Sequence, residues 1–454
     1  MGSKRVSRRS LLKGAAAGAV AFGVGAQLAG ELSAGATDPS RVDGLRWPDS
    51  LPFPNLPPGT DTMPEIEHIL VLMMENHSYD NYLGMLGRGD GFTLGANGKP
   101  TATNPYPDGS LQHAFEMPNS AQQTGRPTNE WGETHLQMSG GTCQGFVSSK
   151  SGPVAMGYWT EKELPFYYSL ANTFPIGDRW FCSVPGQTYP NRRFLLGATS
   201  AGMVEDVLEQ VVIPAPNGTI LERLEVFGLS WKNYYSNQPS SAFLYPVDAV
   251  TALQKIVPIG EFYNDAKTGN LPHFAIIDPN FGTSSEEDPQ DISEGQALAA
   301  KVINAVMSGP AWNKTLLIWN YDEHGGYYDH VAPPLAIKPD LIPPIGYESG
   351  ESAYDGFGRY GFRVPAAVIS PWAKADYVSS VLYDHTSILA MVERKWNLPA
   401  CTWRDANAND LMDFLDFTKL TFFDPPILAQ PAKSTGSPGH PGTIPPLGSV
   451  TPKT

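Results

Sequence analysis

The stretch Ile69-Leu70-Val71-Leu72-Met73-Met74-Glu75-Asn76-His77-Ser78 decides the fold. Its first six residues are apolar without a break, the pattern of a strand covered on both faces rather than one half exposed to water. Polar side chains begin at once at its carboxyl end, the edge where open α/β sheets carry their sites. Residues 315–321 (TLLIWNY) have the same build and run into Asp322-Glu323-His324-Gly325-Gly326, and residues 364–369 form a third apolar run that closes on Ser370-Pro371-Trp372. Residues 164–174, 294–307 and 387–396 place apolar side chains at helical spacing between and after these runs. Strands alternating with helices predict an α/β fold with a mostly parallel central sheet flanked by helices.

Around this frame lie long loop insertions. Residues 91–129 are polar and rich in Gly, Pro and Asn, which predicts a surface insertion at the rim of a pocket. Residues 37–64 read as an extended lead-in, residues 65–429 as one catalytic domain, and residues 430–454, rich in Pro, Gly, Ser and Thr, as a disordered tail. At the other end, Ser7-Arg8-Arg9-Ser10-Leu11-Leu12-Lys13 precedes a weakly apolar run diluted by glycine, and Ala34-Gly35-Ala36 supplies small residues for cleavage. Residues 1–36 are therefore expected to be a twin-arginine signal peptide, with the twin-arginine export machinery as a partner. The product would be periplasmic, cell-wall associated or extracellular. A formal net charge of −15 excludes nucleic acid as a partner and disfavours anionic lipid, which leaves neutral, zwitterionic or small soluble substrates. Cys143, Cys182 and Cys401 fit no metal or redox spacing and read as buried thiols.

The chemistry concentrates at the two strand ends. Glu75-Asn76 and Asp322-Glu323 offer carboxylate and amide oxygens, which suit one hard divalent cation: calcium, magnesium, manganese or iron. Carboxylates crowded at the mouth of buried strands repel one another unless a cation or a proton intervenes. A third element is Pro185-Gly186-Gln187-Thr188-Tyr189-Pro190-Asn191-Arg192-Arg193. It holds the hydroxyl of Thr188 between two turns, where a bound cation can activate it as a nucleophile. Asn191 and Arg192 can present donors to phosphate oxygens. His135 and His330 are candidates for holding the transferred group and protonating the leaving oxygen. Tyr158, Trp159, Phe166, Tyr167 and Tyr168 can either line a cation-accepting rim or pack the core.

Six segments carry a family resemblance: IEHILVLMMENHSYDNYLG (residues 66–84), MGYWTEKELPFYYSLANTF (156–174), CSVPGQTYPNR (182–192), YDEHGGYYDHVAPP (321–334), FRVPAAVISPWAK (362–374) and YDHTSILAMVERKWNLP (383–399). In this order they resemble the bacterial and plant non-specific phospholipase C and acid phosphatase family. The resemblance implies a fold of the alkaline phosphatase type and one metal held by Glu75, Asn76, Thr188, Asp322 and Glu323. It implies that Thr188 is the nucleophile through a covalent phospho-threonine, and that His135 and His330 bind phosphate or act as acid and base. The sequence departs from the family at Asp288-Pro289, where many members carry His-Pro, and at Gln144-Gly145-Phe146, where Asp-Gly-Phe is frequent. The expected activity is a phospholipase C acting on a phosphate ester such as a zwitterionic phospholipid, with an acid phosphatase as the alternative. A sulfatase would need a Cys or Ser at position 188, and a non-catalytic secreted binding protein would make the whole constellation a coincidence.

Overall fold

The computed structural model describes residues 43–122, 127–245 and 254–436; the signal reading over residues 1–36 lies outside them. An eight-stranded sheet forms the centre. In chain order its strands are β1 (His68–Met74), β6 (Ile176–Gly177), β7 (Trp231–Tyr235), β8 (Ile256–Pro258), β9 (Phe274–Asp278), β10 (Thr315–Tyr321), β11 (Ala366–Ile369) and β12 (Val378–Ser379). The insertions contribute β2 (Thr103–Pro105) with β3 (Leu111–His113), and β4 (Phe115–Glu116) with β5 (Gly157–Tyr158), as two small separate sheets. The large sheet runs β12-β6-β11-β10-β1-β9-β7-β8. All neighbours pair in parallel except at β11, which is antiparallel to both β10 and β6. This is the mostly parallel α/β sheet that the unbroken apolar runs predict, because β1 and β10 are buried on both faces.

The register of the two central strands positions everything that follows. His68 pairs with Thr315 and Met74 with Tyr321, so β1 and β10 end level with each other. Glu75-Asn76 and Asp322-Glu323 therefore leave the sheet side by side. The turn after β10 crosses directly over the backbone of Asn76. Gly325 has φ +66°, and a Cβ there would lie 1.9 Å from the carbonyl oxygen of Asn76. Only glycine fits this crossing.

Helix starts lie slightly upstream of the apolar periodicity, because the caps are polar. The helix Ile292–Met307 begins where Asp291 accepts a hydrogen bond from the Ser293 amide at 3.0 Å. The helix His385–Trp396 begins where the Asp384 amide donates to Ser387 Oγ at 3.1 Å. The lead-in is pinned to the far end of that second helix: Asn397 Nδ2 donates to the carbonyls of Phe53, Leu56 and Pro57 at 3.0–3.1 Å.

One expectation is corrected in part. Of the tail expected to be disordered over residues 430–454, residues 430–436 are held on the domain, since Ser434 Oγ donates to Asp291 at 2.6 Å and Thr435 exchanges hydrogen bonds with Ser120 at 2.9 Å; residues 437–454 lie outside the described residues. Of the two readings of Tyr158, Trp159, Phe166, Tyr167 and Tyr168, core packing is the one observed, for all five are buried. The three cysteines are buried and unpaired.

Gly325→Ala tests the crossing. Both the positive φ and the overlap with Asn76 oppose it, so the variant should lose roughly 2–4 kcal/mol of stability in a denaturant titration. A midpoint within error of the wild type would show that the two strand ends need not approach so closely.

Candidate active site

Four of the five residues expected to hold a cation meet at the joined strand ends. Asn76, with φ +68°, turns its amide back over the sheet, and its backbone N–H donates to Asp322 Oδ1 at 3.4 Å. Its side-chain oxygen lies 3.3 Å from Asp322 Oδ1 and 2.5 Å from Glu323 Oε1, facing acceptors only. The Thr188 hydroxyl lies 3.4 Å from the same amide oxygen. An amide oxygen among carboxylate and hydroxyl oxygens is stable only with a cation between them, or with the amide turned so that its nitrogen donates to both carboxylates. The fifth residue, Glu75, is buried, and its Oε2 has no hydrogen-bond partner among the described residues. An all-oxygen donor set with an orphaned buried carboxylate oxygen fits a hard divalent cation.

Electrostatics point the same way. Burial, with the charge of Asp322 added, pushes the Glu75 carboxyl up to about 8. Burial also pushes Asp322 up to about 7, against the pull of Arg192. Held this way, the carboxylates are poor anions until a positive charge joins them.

Thr188 is the first residue of the helix Thr188–Gly197. Tyr189 N–H donates to Asp206 Oδ1 at 2.7 Å, and the Asp206 amide donates to Gln187 Oε1 at 2.6 Å, so Asp206 clamps both sides of Thr188. The expected roles of Asn191 and Arg192 as phosphate donors are corrected by their partners. Asn191 is buried; its Nδ2 donates to the carbonyls of Val184, Gly186 and Gln187, and its Oδ1 accepts from the Val184 amide, so it braces the loop. Arg192 spends its fork on Asp322 at 2.9 Å, Asp278 at 3.5 Å and the carbonyls of Met73 and Met74 at 3.1 Å each. Asn191 has both donors engaged in the loop, and Arg192 has four of its five N–H groups engaged at the strand ends, so it holds the Thr188 helix onto them.

The two expected histidines form no hydrogen bond to these residues or to each other. His135, on the helix Trp131–Met138, meets the Trp131 carbonyl through Nδ1 at 2.7 Å and stacks on Tyr354 with ring centroids 3.8 Å apart. Its Nε2 lies 3.8 Å from Asp355. His330 donates from Nδ1 to Asp80 at 2.7 Å, and its Nε2 lies 3.3 Å from Asp90. Burial lowers the imidazole's proton affinity, but the Asp80 bond and the charges of Asp80 and Asp329 outweigh it, and the pKa rises to about 9.

Sequence reasoning missed several contributors. Asn129 Nδ2 donates to Glu323 Oε1 at 2.5 Å, and Gly325 N–H to Glu323 Oε2 at 2.7 Å. Asn129 sits at the end of the polar insertion, where no local pattern marks it. Asp278 ends β9, and its apolar run Phe274–Asp278 was the available signal. Two tight acid-containing groups, Asp80–Asp329–His330 and Glu393–Cys401–Asp405, also went unread. In the first, Arg363 pairs with Asp80 at 3.3 Å and Asp329 at 3.0 Å, which supplies the positive charge a metal would bring.

Residues 66–399 match the model of the family described as Phosphoesterase family. The chain is 31% identical over 431 residues to non-specific phospholipase C5 of Arabidopsis thaliana, covering 84% of this chain and 79% of that protein. It is 30% identical over 407 residues to phospholipase C A of Mycobacterium tuberculosis, covering 78% of each. Among solved structures it is similar to a protein of the alkaline phosphatase superfamily from Vibrio parahaemolyticus, with a TM-score of 0.40 at 9% identity, covering 80% of this chain and 74% of that one.

The His330 environment makes a pH prediction. A pKa raised in the folded state stabilises the fold below the unfolded value, near 6.5, and that contribution is lost as pH rises through about 9. Wild type should therefore exceed His330→Gln in thermal stability at pH 6, and the gap should shrink by pH 10. A gap independent of pH would mean that the imidazole is not charged in the folded protein.

Proposed function

Because the chain belongs to the Phosphoesterase family, we propose that it is a metal-dependent phosphodiesterase of the phospholipase C type, with Thr188 as its nucleophile. One observation carries the reading: the Thr188 hydroxyl, at the amino end of a ten-residue helix, lies 3.4 Å from the Asn76 amide oxygen, which itself sits against the carboxylates of Asp322 and Glu323. Glu75, Asn76, Thr188, Asp322 and Glu323 would hold the cation, which when bound supplies positive charge that acidifies the threonine hydroxyl and stabilises the transferring phosphoryl group.

The chain's own residues do the rest. Thr188 Oγ releases its proton to solvent and attacks phosphorus, the bond to the leaving alkoxide breaks, and the alkoxide takes a proton. His330 is the proton donor in this reading, since Asp80 and Asp329 keep it protonated at neutral pH. Water then cleaves the phospho-threonine and restores the hydroxyl. The positive end of the helix dipole faces the developing negative charge throughout. Arg192 and Asp206 keep Thr188 in place without touching substrate. The relatives are named phospholipases C, and the strongly acidic chain favours a zwitterionic head group over an anionic one.

Turnover of p-nitrophenyl phosphocholine and p-nitrophenyl phosphate, with and without chelator, tests the class. The phosphocholine ester should be hydrolysed and chelation should abolish its turnover; cleavage of the monoester alone would make the enzyme an acid phosphatase. Thr188→Val should lose on the order of 10³-fold or more in kcat, Thr188→Ser should keep partial activity, and acid-quenched turnover should leave phosphate on the peptide that holds Thr188. Near-normal turnover by Thr188→Val would exclude it as the nucleophile. Asp322→Asn should lose bound metal by elemental analysis.

Export belongs to the same reading. Arg8-Arg9 before the apolar run supports twin-arginine transport to the periplasm, cell wall or medium. Replacing both arginines with lysine should leave precursor in the cytoplasm, and normal appearance of that variant outside it would refute the route.

A further inference from the structure

Beside the nucleophile lies a surface that the reaction does not use. Residues 204–213 (VEDVLEQVVI) leave the Thr188 clamp at Asp206 and turn outward, with Leu208 58% and Val212 69% exposed. A second segment, residues 340–351, lies against the first. Gly346 packs on Gln210 of the first segment, so closely that a Cβ there would lie 2.0 Å from Gln210 Nε2, and just upstream Ile345 N–H donates to the Gly202 carbonyl at 2.8 Å. That segment presents Leu341 with 63% of its surface exposed. Three branched apolar side chains open to water on two packed loops cost solvation free energy that a soluble substrate would not recover. The exposed charge that these segments themselves carry is acidic: Asp206, Glu209 and Glu348 face solvent, while Glu205 is buried; the neighbouring cations are Arg193, buried under the first segment on the Gln210 and Ile213 carbonyls, and Lys150, which pairs with Glu348 at 3.7 Å.

We infer that Leu208, Val212 and Leu341 form a docking surface for a zwitterionic lipid membrane, which seats the Thr188 site on its substrate. The inference rests on the phospholipase C reading. The apolar side chains enter the boundary between head groups and acyl chains, while the surrounding carboxylates face the outermost trimethylammonium groups of phosphatidylcholine. An anionic surface would meet those carboxylates with repulsion. Asp206 joins the two functions, since the segment that carries Leu208 begins at the residue that clamps Gln187 and Tyr189 around Thr188.

The test uses the full chain and the variant Leu208→Ser/Val212→Ser/Leu341→Ser, with Leu208→Ser alone as a milder second variant. Binding to phosphatidylcholine vesicles and to phosphatidylglycerol vesicles is measured by sedimentation, and turnover is measured on phosphatidylcholine vesicles and on soluble p-nitrophenyl phosphocholine. The triple variant should lose on the order of tenfold to a hundredfold in vesicle binding and vesicle turnover, with its thermal midpoint and soluble turnover kept, and Leu208→Ser should lose less. Unchanged vesicle binding in the triple variant overturns the inference, as does equal wild-type binding to phosphatidylglycerol. A wild-type dimer that becomes monomeric in the triple variant, with vesicle binding unchanged, assigns the surface to a second copy instead. If wild type binds phosphatidylcholine through these residues but hydrolyses neither substrate, the docking surface stands and the phospholipase reading falls.

Discussion

The guanidinium of Arg192 is the contact on which the site depends. It lies beneath the sheet edge, bonded to Asp322 at 2.9 Å, to Asp278 at 3.5 Å and to the last two carbonyls of β1 at 3.1 Å each. It stands one turn after Thr188 on the same helix. A single side chain thus ties the Thr188 helix to three neighbouring strand ends, those of β1, β9 and β10. Its ion pairs are buried, so removing one partner strands a charge in low dielectric at a cost of about 3–5 kcal/mol. That cost makes the placement of Thr188 against Asn76 stiff, and a nucleophile must be placed to within fractions of an ångström to be useful.

Arg192 nevertheless leaves the site electrostatically incomplete. Glu75, Asp278, Asp322 and Glu323 are all buried, and one guanidinium compensates only one of them if all ionise. Burial first, and then the neighbouring carboxylate, push Glu75 up to about 8 and Asp322 up to about 7. The Asp80–Asp329–His330 cluster has comparable acidity but a different outcome, because Arg363 and the protonated His330 balance its two buried carboxylates from within. The contrast explains why the strand-end cluster suits a divalent cation and the other does not, although the second packs its ligand atoms more tightly.

How much of this was legible follows from which forces act locally. The runs 69–74 and 315–321 announced their strands because burial on both faces leaves a composition signature, and strand ends in an α/β sheet announce their polar residues. The Thr188 loop was legible through Pro185-Gly186 and Pro190-Asn191, which restrict the backbone whatever surrounds them. The destination of a long side chain was not. Arg192 and Asn191 carry the donors a phosphate needs, and only the packed structure shows those donors spent on Asp322 and on the loop carbonyls. Asn129 was invisible for the opposite reason, since it lies in a stretch with no periodicity and reaches Glu323 across 194 positions of sequence. The aromatic group at 158–168 stayed open between rim and core because a tyrosine in either place looks alike in sequence, and burial decides for the core.

The histidines show how environment, rather than sequence adjacency, assigns a role. His77 follows a site residue, His324 follows another, and His385 meets the Asp322 carbonyl through Nε2 at 2.6 Å. Burial pushes His77 and His324 down to about 3 and His385 to about 4, so all three are neutral at physiological pH. They act as fixed spacers: His324 meets Gln137 at 2.8 Å, and His77 stacks on Tyr82 and Tyr327. A group that must deliver a proton to a leaving alkoxide has to hold that proton at neutral pH, and in these three burial outweighs what the neighbours contribute, including the Glu323 carboxylate 3.4 Å from His324 Nδ1. His330, half-buried and flanked by Asp80 and Asp90, meets that requirement, and it does so through residues on α-helical and loop segments that follow β1. The strand that brings Glu75 and Asn76 to Thr188 thus also delivers, four residues past Asn76, the carboxylate that keeps His330 charged.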